Sequence, residues 1–165
     1  MSFQVEIGGD VNHCLREAGL SDSWIGSSEL EALPRCGGAY LLALRVDAKV
    51  EFMLRGERRG ALAPDWYFYL GSARGSGGIA ARLGRHFRKQ KKIHWHIDRL
   101  TVEAVEMAAI AVPDGRECDL VEKMLKSGDF ETAFPGFGST DCRRCEGHLL
   151  RLTANAERPV PNLDL

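Results

Sequence analysis

Between Trp66 and Phe87 the chain runs WYFYLGSARGSGGIAARLGRHF, and its hydrophobic period changes midway. Trp66, Phe68 and Leu70 alternate with Tyr67 and Tyr69, as in a β-strand with both faces occupied. Ile79, Leu83 and Phe87 then recur at every fourth residue, the stripe of a helix. Between them lie glycines at 71, 75, 77 and 78, which suit neither a strand nor a helix interior. A strand must run into a glycine-rich turn and directly on into a helix over about 79–90. That junction commits the chain to a mixed α and β architecture.

The remaining segments extend this plan. GGAYLLALRV at 37–46 places Tyr40, Leu42, Leu44 and Val46 on one face of a second strand. Residues 49–54 predict a further strand, RGERRG its turn, and 47–65 a hairpin. LTVEAVEMAAIAV at 100–112 predicts a long strand stopped at Pro113–Gly115. A helix is expected over 116–126, with Leu120, Val121, Met124 and Leu125 facing inward. The expected fold is α+β, a small, mainly antiparallel central sheet flanked by helices. Residues 1–33 are expected to form an N-terminal appendage, 34–152 the folded domain and 153–165 a frayed tail.

A length of 165 residues suits one domain, and no apolar run approaches the roughly 20 residues of a membrane helix. The start, MSFQVEIGGD, has neither a basic nor an apolar stretch, so a cytoplasmic location is expected. Five cysteines there would be free, metal-bound or redox-active rather than paired. A net charge of −1 excludes a chain that binds nucleic acid through its overall charge. Residues 82–99 nevertheless set Arg82, Arg85, Arg88, Lys89, Lys91, Lys92 and Arg99 against Asp98 alone. Such a block can hold phosphates, or it can be a solvated helix face.

Arg82 and His86 are four residues apart and flank the Ile79–Leu83–Phe87 stripe. They are either functional groups at the sheet edge or side chains lying over its apolar rim. Glu117 precedes Leu120 and Val121 by three and four residues, on the inward side of its helix. A carboxylate there needs a partner or a cation, although with Asp114 it could also serve the helix N-terminus. Together with Tyr40 and Tyr69 these residues form a candidate catalytic set suited to phosphodiester hydrolysis. A cation would polarise a phosphate oxygen, an arginine would hold developing negative charge, and a phenol or histidine would position or deprotonate water. Arg74, Arg85, Arg88, Lys89, Lys91, Lys92, His94 and His96 are candidate nucleic-acid contacts, and Trp95 is a core residue or a stacking platform. The turn GSARGSGG can present backbone N–H groups to an anion, but it carries neither a P-loop nor a dinucleotide fingerprint.

Cys142, Cys145 and His148 read C-x-x-C-x-x-H. They supply three ligands of a zinc site, with Cys118 or His94 as the fourth. The same residues could form a reactive dithiol or a tight turn of ordinary thiols.

The order Gly38-Ala39-Tyr40, Tyr69-Leu70-Gly71, ARLGRH and ECDLVEKML resembles the GIY-YIG endonuclease superfamily. The segments YLGSARGSGGIAARLGRHFR, HWHIDRL and PGFGSTDCRRCEGHLLRL resemble a branch catalogued as a domain of unknown function, which also occurs fused to DNA repair glycosylases of the endonuclease III type. The likeness covers about residues 36–152. It departs in Ala39 and Leu70, in a long gap between the two tyrosines, and in lacking a clean counterpart of a late asparagine past Pro135. The resemblance implies a three-stranded sheet flanked by helices, one Mg²⁺ or Mn²⁺ ion, and single-strand cuts in DNA, with DNA repair as the setting. DNA and a repair glycosylase are the implied partners. Tyr40 would orient or activate water, and Tyr69 would contact the phosphate or assist as base. Arg82 would stabilise the pentavalent phosphate, His86 would tune Tyr69 or bind phosphate, and Glu117 would hold the metal. Two other classes stand beside this expectation: a nucleic-acid-binding module of the same fold without turnover, and an accessory protein built on zinc or thiol chemistry.

Overall fold

The structure is a computed structural model and describes residues 9–17, 19–21, 23–154 and 156. Its elements in chain order are α1 (Gly9–Glu17), β1 (Gly38–Val46), β2 (Val50–Met53), β3 (Arg59–Leu62), β4 (Asp65–Ala73), α2 (Gly78–Phe87), α3 (His96–Glu103), β5 (Glu106–Pro113), α4 (Glu117–Lys126), β6 (Phe130–Thr132) and β7 (Leu149–Leu152). Short 3-10 turns occupy Ser27–Ala32 and Arg55–Glu57. One antiparallel sheet has the order β5-β1-β4-β7-β6, and β2 with β3 forms a separate hairpin.

The fold is the expected α+β arrangement, and strand alternation explains its layers. Leu41 and Ala43 of β1 and Trp66, Phe68 and Leu70 of β4 pack with Val11 and Leu15 of α1 and Leu120, Val121 and Met124 of α4. The intervening residues Tyr40, Leu42, Leu44 and Tyr67 pack on the other face with Ile79 and Leu83 of α2 and Ile97 and Leu100 of α3. β1 is therefore covered on both sides and is apolar almost throughout, since any polar side chain there would need a buried partner. The glycine turn meets its purpose at Gly78, whose φ is +58° and where a Cβ would lie 2.2 Å from the Cys36 carbonyl oxygen. Only glycine lets α2 begin so close to the chain entering β1.

Several expectations are corrected. The sheet has five strands rather than three, because β7 inserts between β4 and β6. The strand expected over 100–112 begins only at Glu106, and residues 100–103 belong to α3. The cause is Asp98, whose carboxylate accepts the backbone N–H groups of His94 at 2.8 Å and Trp95 at 3.0 Å and so fixes a helix start. α2 stops at Phe87 rather than 90, where Lys91 Nζ takes the carbonyl oxygens of Arg85 and His86 that another helical turn would have used. Leu125 does not face inward but is 36% exposed. The described part of the segment expected as an appendage contributes to the core: Val11, Leu15 and Leu20 are buried, and Ile25 exchanges both backbone hydrogen bonds with Ala109, while residues 1–8 lie outside the described residues. Most of the tail expected to fray, residues 155 and 157–165, lies outside the described residues. Among the described residues no helix is long and apolar enough to cross a membrane.

Candidate active site

The register of β1 on β4 sets Tyr40 directly opposite Gly71. A Cβ at position 71 would lie 2.1 Å from Tyr40 Cζ, so the phenol ring occupies the space that any side chain would take. Tyr69 is seated in the same manner by Gly138, whose φ is +72° and where a Cβ would come within 2.7 Å of Tyr69 Cε2. The two rings lie 6.3 Å apart between centroids. Gly71, the last residue of the second tyrosine motif, and the distant Gly138 are thus steric requirements of the tyrosines themselves.

His86, one turn after Arg82 on α2, places Nε2 2.7 Å from Tyr40 Oη in a buried hydrogen bond. Burial pushes the His86 pKa down to about 3, with nearby Lys91 adding to the effect, so the imidazole is neutral at ordinary pH. Its Nδ1 is buried without a partner, and either tautomer satisfies the bond to Tyr40. Burial also raises both phenols, Tyr40 well above its usual range with help from Tyr69, and Tyr69 to about 12 against the opposing pull of Arg82. Both tyrosines are therefore protonated in the free protein.

Arg82 lies with its guanidinium carbon 4.3 Å from the centre of the Trp95 ring, and Arg85 approaches the same ring at 4.7 Å. Trp95 thus packs against the core of this face and also serves as a plate for two arginines. Glu117, half-buried, opens α4. Tyr40, Tyr69, Arg82, His86 and Glu117 all border one open cleft of about 850 Å³. The candidate catalytic set, drawn from β1, β4, α2 and α4, thus shares one space. Its carboxylate offers oxygen to a hard divalent cation, and its arginine offers charge to an anion.

The expected nucleic-acid contacts divide. Arg74, His94 and His96 border the cleft. Arg85 instead donates to Asp98 Oδ2 at 2.7 Å and to the Lys92 carbonyl at 2.9 Å. Lys89 donates to the carbonyls of Thr101, at 2.8 Å, and Ala104. Lys91 donates to Thr101 Oγ1 at 2.7 Å, and burial pushes its pKa down to about 8 against the attraction of Asp98. Arg85, Lys89 and Lys91 are ties between α2 and α3, and Arg88 and Lys92 are exposed away from the cleft lining. Arg55 and Arg143 also border the cleft and were not anticipated. Arg55 sits beyond β2 and Arg143 in the late loop, and nothing local in the sequence ties either to the tyrosines.

Beside Glu117 on α4, Cys118 joins Cys142, Cys145 and His148 in a cluster that could hold a metal ion. Each residue offers one ligand atom, and these atoms all lie within 4.8 Å of one another. Cys118 is the fourth member, and His94 packs on Trp95 instead, with the ring centroids 5.3 Å apart.

Residues 39–162 match the model of a protein family described as a domain of unknown function, DUF123. No curated protein and no solved structure gives a significant match.

Proposed function

The chain belongs to this DUF123 family, and from the cleft its residues build we propose that it is a metal-dependent endonuclease hydrolysing phosphodiester bonds in DNA. The observation that carries the reading is the convergence of Tyr40, Tyr69, Arg82, His86 and Glu117 on one cleft, with Tyr40 hydrogen-bonded to His86. The order of these residues along the chain supports placing the family with the GIY-YIG endonucleases. Arg55, Arg74, Arg82 and Arg143 at the cleft favour a polyanion.

Each group then has a task. Arg82, held against Trp95, meets the phosphate and stabilises the charge that develops on it. In its Nδ1–H tautomer, His86 accepts a hydrogen bond from the Tyr40 hydroxyl at Nε2, which leaves the lone pairs of Tyr40 Oη to accept a hydrogen bond from the attacking water and orient it. Tyr69 donates to a phosphate oxygen. Glu117 is the ligand for Mg²⁺ or Mn²⁺, and such an ion supplies polarisation of the phosphate and support for the leaving oxygen. DNA repair is the setting, and a repair glycosylase the partner class to test first.

Nicking of a supercoiled plasmid with Mg²⁺ or Mn²⁺ tests this reading. Cutting is expected for the natural chain and is expected to vanish in Tyr40→Phe and Glu117→Ala, with DNA affinity nearly intact in the latter. Unchanged cutting in Glu117→Ala would remove the metal assignment. Absent cutting together with salt-sensitive DNA binding, on branched and damaged DNA as well, would make the chain a binding module of this fold.

A further inference from the structure

The catalytic reading leaves one group of reactive side chains unused. Cys118 comes from the first turn of α4, and Cys142, Cys145 and His148 come from the loop leading into β7. Cys118 Sγ lies 3.5 Å from Cys142 Sγ and 3.8 Å from His148 Nε2. A tetrahedral zinc with bonds of roughly 2.0–2.3 Å has ligand-to-ligand edges of about 3.5–3.8 Å. The spacing fits ligands around a common centre, whereas a disulfide would draw two of the sulfurs together and leave a thiol and an imidazole behind. Three sulfurs and one imidazole suit a soft cation and not the hard cation that Glu117 suits.

The surroundings fit as well. Cys142 Sγ accepts the backbone N–H groups of Arg144 at 3.4 Å and Cys145 at 3.3 Å, which support a thiolate and fold the C-x-x-C turn around it. The His148 backbone N–H donates to the Phe137 carbonyl at 2.9 Å, which holds the ligand residue at the end of the loop. A second fastening lies alongside, where Arg144 bridges Asp119 at 2.6 Å and Glu122 at 2.5 Å, both on α4. The loop so fastened includes Gly138, Thr140, Asp141 and Arg143, which form part of the cleft wall.

We propose that Cys118, Cys142, Cys145 and His148 bind one zinc ion as a closed Cys3His site, which fastens the 138–148 loop to the first turn of α4 and sets that wall of the cleft. The proposal stands apart from the nuclease reading, because its tests require no cutting. The role is structural: all four positions are taken by protein, and none is left for substrate.

The full chain, purified without chelator, is expected to carry about one zinc per chain, as a closed four-ligand site does. Cys36→Ser, outside the cluster, should keep it, Cys118→Ser should lose it, and His148→Cys, which restores four ligands, should retain it. Cobalt added to the metal-free natural chain should give sulfur-to-cobalt charge-transfer bands and tetrahedral visible bands, a readout that does not depend on any variant folding. Trypsin should cut after Arg143 and Arg144 at least about tenfold faster once the zinc is removed, as loss of a structural metal frees the segment it orders. A reduced chain that takes up neither zinc nor cobalt would overturn the site. Zinc fully retained in Cys118→Ser would overturn the ligand set, and unchanged tryptic cutting after zinc removal would overturn the fastening.

Discussion

At Gly71 the smallest change has the largest expected reach. A methyl group there would coincide with the Tyr40 ring, and both belong to paired strands that cannot move apart. Gly71→Ala is expected to lower stability by about 1–3 kcal/mol, as overpacking of a close-packed site does, and to displace the hydroxyl from His86. Denaturant unfolding checks the first effect and plasmid nicking the second; a variant as stable and active as the natural chain would refute the seating of Tyr40. His86 carries a prediction in pH. Its folded pKa of about 3 lies below the ordinary 6.5, so the unfolded chain binds the extra proton between those values. Its contribution to stability is complete above pH 6.5 and is lost as pH falls toward 3. Unfolding free energies of the natural chain and His86→Gln across that window should differ in slope by about 1.4 kcal/mol per pH unit. Parallel profiles would mean that His86 is not held neutral.

The elements α2 and α3 are joined by charge as much as by apolar packing. Asp98 is buried, and although burial opposes its ionisation, the N–H groups of Trp95 and His94 and the guanidinium of Arg85 outweigh that and hold its carboxyl below the usual range. Asp98→Asn would leave Arg85 and Lys91 facing each other without a counter-charge. A loss of about 3 kcal/mol is expected, typical of breaking a buried pair, and urea unfolding would measure it. A loss under about 1 kcal/mol would make the pair no better than a surface one. This tie also explains what was and was not legible in the sequence. Periodicity announced the faces of β1 and β4 and the buried stripe of α2, because those depend on the residue's own element. The start of α3 was missed because a single side chain, Asp98, overrode the β-like composition that follows it. The basic block looked uniform in sequence, yet Lys89 and Lys91 point into carbonyls while Arg82 borders the cleft, a division that only tertiary packing makes. Cys118 was readable as one of two candidate fourth ligands, and the α4–loop contact decided between them.

Over the whole molecule, the sheet order β5-β1-β4-β7-β6 places a late segment of the chain at the side of an early one. Leu70 N–H bonds to the carbonyl of His148, and Phe68 and Tyr69 are in register with Leu150 and Leu149. The support for the second tyrosine and the glycine that seats it both come from residues after 137. During synthesis, every residue of the candidate catalytic set would emerge from the ribosome before the strand that pairs with β4 beside Tyr69. A chain stopped after Gly147 would therefore possess Tyr40, Tyr69, Arg82, His86 and Glu117 and still be expected not to cut a plasmid, and cutting by such a chain would show that β7 is dispensable. On the proposed function, linear order would act as a timer: a nascent chain close to nucleic acid would stay harmless until β7 is in place.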